Sequence, residues 1–162
     1  MKNAKTNWPL TALLVILAPL WVPLLILFLL LLAIVIPMTH LVLYIVIWCF
    51  WLPRGKDVLF IYSNSPIWQE YMLSEMLPLV KNRAFILNWS ERNLWKRWSL
   101  SVLAFRRWGG DKAFNPLILV FRPFRRVETF RFWPAFREWK QGNTVAVDQL
   151  KREVARSLSL AS

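Results

Sequence analysis

Val58-Leu59-Phe60-Ile61-Tyr62-Ser63-Asn64-Ser65-Pro66 reads as a strand passing through a turn into a helix. Its first five residues are apolar or aromatic with β-branched members, the composition of a short strand buried on both faces. Ser63, Asn64 and Ser65 supply turn chemistry. Ser65 is the candidate N-cap and Pro66 fits the first helical position, where a missing N–H costs nothing. Ile67, Tyr71 or Met72, Met76, Leu77 and Val80 recur near helical spacing, so a helix is predicted to about Val80, kinked or ended by Pro78.

Downstream, Ala84 to Leu87 reads as a second buried strand. Ser90-Glu91 is predicted to cap a helix running to about Trp108, with Leu94, Trp95, Trp98, Val102 and Phe105 as its apolar stripe and Gly109-Gly110-Asp111 as its stop. Leu117 to Phe121 is a third strand, Arg122 to Arg126 a turn, and Val127 to Phe132 a fourth strand. In that strand Val127, Thr129 and Arg131 share one face and Glu128, Phe130 and Phe132 the other. A short helical piece at Pro134 to Lys140 and a loop at Gly142-Asn143 lead to a last helix, about Val145 to Leu160.

The predicted order is βαβαββα, and from about residue 58 to 160 the chain resembles the thioredoxin-like fold. The strand-turn-helix of Val58 to Val80 stands where that family keeps its reactive turn, and Asn115-Pro116 stands before the third strand, where the family commonly carries a cis-proline facing the turn. The resemblance implies a ligand site around Tyr62, Ser63, Ser65 and Pro116, since some glutathione-using relatives place a serine or tyrosine hydroxyl near the thiol. Ser63 and Ser65 also have plain structural roles, as turn former and cap.

The departure from that family is chemical. Dithiol exchange needs an attacking thiolate and a second cysteine to resolve the mixed disulfide. The turn holds no cysteine, and Cys49, the one cysteine in the chain, lies upstream of the domain. Dithiol oxidoreductase activity by this domain is thereby excluded, as is an internal disulfide. His40 is the only histidine and also lies upstream, so the domain has no histidine triad and no histidine-ligated zinc. The carboxylates show no clustered spacing, and Gly109-Gly110-Asp111 lacks the glycine-lysine-serine/threonine signature of a phosphate loop. No catalytic residue, metal site or cofactor is predicted.

Upstream, residues 6–53 contain no Asp, Glu, Lys or Arg. As a helix this run is on the order of 70 Å long, against a hydrocarbon core of about 30 Å. It exceeds the apolar stretch of a cleaved signal peptide. Residues 1–53 are therefore predicted to be a transmembrane anchor and residues 54–162 a basic α/β domain. The favoured arrangement is a hairpin, crossing at about 8–28 and again at 30–52, which puts Lys2, Lys5, Arg54 and Lys56 on one side, as the positive-inside rule prefers. The alternative is one crossing near 10–36 followed by an interfacial segment from His40 to Leu52. Tyr44, Trp48 and Trp51 suit either an aromatic belt at headgroup depth or packing on the other helix.

The net charge of +12 lies almost wholly after residue 53. It favours anionic partners and a cytoplasmic domain. Arg92, Lys96, Arg106, Arg107, Arg122, Arg125 and Arg126 are interleaved with Trp95, Trp98 and Trp108, a mixture suited to nucleic-acid grooves or to anionic headgroups. Because the anchor already holds the domain against a bilayer, lipid is favoured over nucleic acid. A solvated basic face with the Trp residues in the core stands beside that reading. The function expected is a membrane-anchored, non-redox binding or assembly module at the cytoplasmic face, with anionic lipid headgroups and a membrane-protein partner. The alternative is an enzyme or binding protein for a small anionic or thiol ligand at Ser63 to Pro66.

Overall fold

The computed structural model describes residues 8–110 and 116–159. The described chain is mixed α/β, and it divides into two compact units, one ending at Val42 and the other beginning at Leu43. Helix α1 runs without a break from Trp8 to Trp51 and contains Pro19, Pro23 and Pro37. This replaces the predicted hairpin. Each proline removes only one backbone donor, and Phe28, Leu29 and Leu30 at the proposed turn offer nothing that would reverse a chain in an apolar setting.

In the first unit the helix is apolar on every side. Leu24, Leu27, Phe28, Leu31 and Ile34 are each more than half exposed. An all-round apolar helix with no protein cover is the pattern of a membrane span. By length and composition the candidate span is Trp21–Arg54, the one such helix among the described residues.

The second unit is built on a four-stranded sheet in the order β2-β1-β3-β4. The strands are β1 (Val58–Tyr62), β2 (Ala84–Asn88), β3 (Leu117–Val120) and β4 (Glu128–Arg131). β1 and β2 are parallel, with Val58 opposite Ala84, and β3 is antiparallel to both β1 and β4. Side-chain alternation divides the core in two. Val58, Phe60, Ile118 and Val120 face Met72, Met76, Val80, Phe136, Val147, Val154 and Leu158. Leu59, Ile61, Leu117 and Leu119 face Ile47, Trp51, Ala104 and Phe105. Covering both faces explains why β1 and β3 are near-continuous apolar runs.

The last turns of α1 pack into this second core, and the second compact unit begins at Leu43. Ile47 is fully buried and Trp51 is 2% exposed. The Trp51 ring lies 4.6 Å from Phe85 and 5.3 Å from Phe121, centroid to centroid. Trp51 is thus a core residue and not part of an aromatic belt, and its partner is the sheet and not another membrane helix.

The connecting helices differ from the predicted ones at their starts. After β1 the chain turns through residues 66–68 and becomes helical at Gln69–Tyr71, continuing through a π-turn at Met72–Met76 into Leu77–Val80. After β2 a 3-10 segment, Trp89–Leu94, is capped by Asn88, whose side chain accepts from the Ser90 N–H. The α-helix begins only at Leu100, with Ser99 as N-cap, and passes through a π-turn at Phe105–Gly109. Leu94 and Trp98, predicted on its buried stripe, are 80% and 83% exposed. Two further helices, Trp133–Trp139 and Val145–Ser159, close the first core. Arg83 grips the Asp57 carboxylate through Nε and Nη2 and donates from Nη1 to the Leu158 carbonyl at 3.0 Å, tying the starts of β1 and β2 to the last helix.

Candidate functional site

The turn after β1 is closed by its own hydrogen bonds. Ser63 is 7% exposed, and its hydroxyl accepts from the Trp68 indole N–H at 3.2 Å. The Asn64 N–H donates to the Ser90 hydroxyl at 2.9 Å, and the Asn88 amide donates to Asn64 Oδ1 at 3.0 Å and to Glu91 at 2.8 Å. Trp68 in turn stacks on Phe136 and meets the edge of Trp133. The Ser65 carbonyl accepts from Trp68 N at 3.3 Å and Gln69 N at 2.9 Å, but the helix begins at Gln69 with Trp68 at its N-cap and no side-chain cap, so Ser65 closes the turn and is not the predicted N-cap. These bonds cross-link the turn to the end of β2, giving it a structural task for each polar group named.

Pro116 is buried, and its carbonyl accepts from the Phe132 N–H at 2.9 Å. The last antiparallel pair of β1 and β3 is Ile61 with Leu117, so the register carried one step further sets Pro116 level with Tyr62. Tyr62, Ser63, Ser65 and Pro116 are therefore gathered at one end of the sheet. The Asn115-Pro116 bond lies outside the described residues. Among the described residues no cluster of three or more His, Cys, Asp or Glu could hold a metal ion.

The basic residues do not form one surface. Arg92 lies with its guanidinium 5.1 Å from the Trp89 ring centre, and Lys96 is exposed nearby in the chain, both beyond the C-terminal end of β2. Arg125 and Arg126 are exposed in the turn between β3 and β4. Because β3 runs against β1 and β2, these two groups occupy opposite ends of the sheet. Arg106 and Arg107 are exposed on the last turn of their helix, where neighbouring Trp108 meets Phe121 edge-on. They lie toward the same end as Arg125 and Arg126.

Arg122 is not lipid-facing. It is 6% exposed, donates to the Ser157 carbonyl and hydroxyl at 2.5 and 2.8 Å, and pairs with Glu128 at 3.2 Å. The Ser157 hydroxyl donates onward to Glu128 at 2.6 Å. A planar guanidinium with several donors suits this role, since a buried charge must be paired and hydrogen-bonded.

The turn itself presents an aromatic residue that the sequence does not flag by any periodicity. Phe124 is 91% exposed, has φ 58°, and places its ring 4.9 Å from that of Trp48. The single Tyr44 hydroxyl proton is shared between the carbonyls of Arg122 and Arg125. The only signal is a bulky aromatic at a turn tip where Gly, Asn or Asp is usual. Compared with models of protein families, with curated proteins and with solved structures, the chain finds no match in any of the three.

Proposed function

We propose that this chain is a membrane-anchored, redox-inactive binding or assembly module whose α/β unit is thioredoxin-like and lies on the cytoplasmic side. The observation that carries the reading is the shared use of α1. Ile47 and Trp51 stand in the apolar run yet are core residues of the α/β unit. The last turns of the apolar helix are thus part of the folded unit and not a loose linker to it.

The strand order with its one parallel and two antiparallel pairings, and the position of Pro116 beside the turn, support the thioredoxin-like assignment. A cysteine-free turn whose serine hydroxyl is occupied by Trp68 favours binding over catalysis. Lys2 and Lys5 precede the run and Arg54 and Lys56 follow it, so its flanks are matched in charge. Orientation then rests on the bulk of the basic residues, all of which follow the run, and on a reducing compartment in which a lone cysteine is stable.

Purification of the full chain from membranes in mild detergent tests the proposal. The expected result is a defined membrane-protein partner that co-purifies in fixed ratio and is retained in Cys49→Ser. A chain that purifies alone, or a thiol-dependent activity lost in Cys49→Ser, contradicts it.

A further inference from the structure

We propose that the turn at residues 123–126 is a membrane wedge, with Phe124 seated at the boundary of headgroups and acyl chains and Arg125 and Arg126 set on anionic lipid phosphates. This rests on the anchored reading above.

The turn holds an apolar ring outward in a backbone conformation that bulky side chains rarely adopt. Phe124 combines φ 58° with 91% exposure. Such a conformation persists where surrounding contacts over-determine it. Here the Tyr44 hydroxyl sits on the carbonyls of Arg122 and Arg125, and the Arg125 N–H reaches the Arg122 carbonyl at 3.3 Å. Buried Arg122 fixes the base of the turn to Ser157 and Glu128. The tip is held in place from both sides.

What covers Phe124 follows from what it touches. Its ring meets Trp48, a residue within the candidate span Trp21–Arg54. Ile45 and Phe50, on the same stretch of helix, are 45% and 54% exposed, so this stretch also has apolar surface to cover. Bilayer lipid covers both at once. Arg125 and Arg126 follow Phe124 directly and are exposed, and the nearest acid in sequence, Glu128, is engaged by Arg122 and Ser157. An aromatic ring with neighbouring Arg and Trp fits headgroup depth. The other exposed apolar side chains, Leu94 and Trp98, lie at the opposite end of the sheet.

Depth measurement on the full chain tests this. In a Cys49→Ser background, spin labels at Phe124→Cys and, as control, at exposed Gln141→Cys are read in bilayers of phosphatidylcholine with phosphatidylglycerol. The label at 124 is expected to collide preferentially with oxygen and the label at 141 with a water-soluble nickel chelate, a several-fold difference in their ratio. Adding Arg125→Gln and Arg126→Gln should shift the 124 label toward water. Because a label replaces the ring, benzoylphenylalanine at position 124 gives a second reading, expected to cross-link to lipid. A label at 124 as open to nickel as at 141, or a cross-link to protein in native membranes with none to lipid, overturns the wedge. Retention of the chain through alkaline carbonate washing in either case leaves the anchored reading intact, whereas its release removes that reading too.

Discussion

At the scale of single residues, Arg122 shows how identical side chains in one turn take unlike roles. Arg122→Gln leaves Glu128 and Ser157 with an unfilled donor position, and should cost about 1–3 kcal/mol in unfolding by denaturant. Arg125→Gln and Arg126→Gln, both exposed, should each stay within about 0.5 kcal/mol in the same measurement. Nothing in the sequence separates them, because burial of Arg122 depends on Ser157, far along the chain. Tyr71 offers a titration. Burial, with Asp148 and Glu75 adding repulsion, pushes its phenol from 10.0 up to about 12. The unfolded chain therefore releases this proton first, and stability should fall as pH rises from about 10 to about 12. Tyr71→Phe should remove that part of the slope in pH-dependent unfolding. Since the Tyr71 hydroxyl is buried without a hydrogen-bond partner, the change should cost little at neutral pH.

At the scale of elements, strands were more legible than helix starts. β1 falls at Val58–Tyr62 as predicted, because a five-residue apolar run between polar flanks fits one structure. The helix expected from Ser90 begins instead at Leu100, since Asn88 caps a 3-10 segment and Ser99 supplies the true cap. Ser90 does not cap the α-helix, and in the stretch between the two caps Trp95 packs against Trp89 and Phe105. Ser99→Ala should therefore lower stability by about 0.5–2 kcal/mol. At the other end of that helix, a Cβ on Gly109 would stand 2.5 Å from Phe105 Cδ2. Gly109→Ala should then cost about 1–3 kcal/mol, visible as a lowered Tm, through displacement of a buried ring.

At the scale of the whole molecule, the apolar run and the α/β class are plain in the sequence, whereas the place where one unit ends and the next begins is not. A stretch rich in Leu, Ile and Trp is suited equally to lipid and to a protein core, so composition alone cannot say that Ile47 and Trp51 serve the sheet. Tyr62, Ser63, Ser65 and Pro116 lie at one end of the sheet, while the seven basic candidates are scattered by topology. Trp51→Ala should destabilise the α/β unit by about 3–5 kcal/mol, as for any large core truncation, although it lies in the apolar run. The most direct test of the account is the sidedness of the two ends. In a Cys49→Ser background, Asn3→Cys and Ser162→Cys are labelled with an impermeant maleimide in intact and in permeabilised cells. A single crossing with a cytoplasmic α/β unit predicts that position 3 labels from outside and position 162 only after permeabilisation. Labelling of both positions only after permeabilisation, or of position 162 from outside, would contradict it.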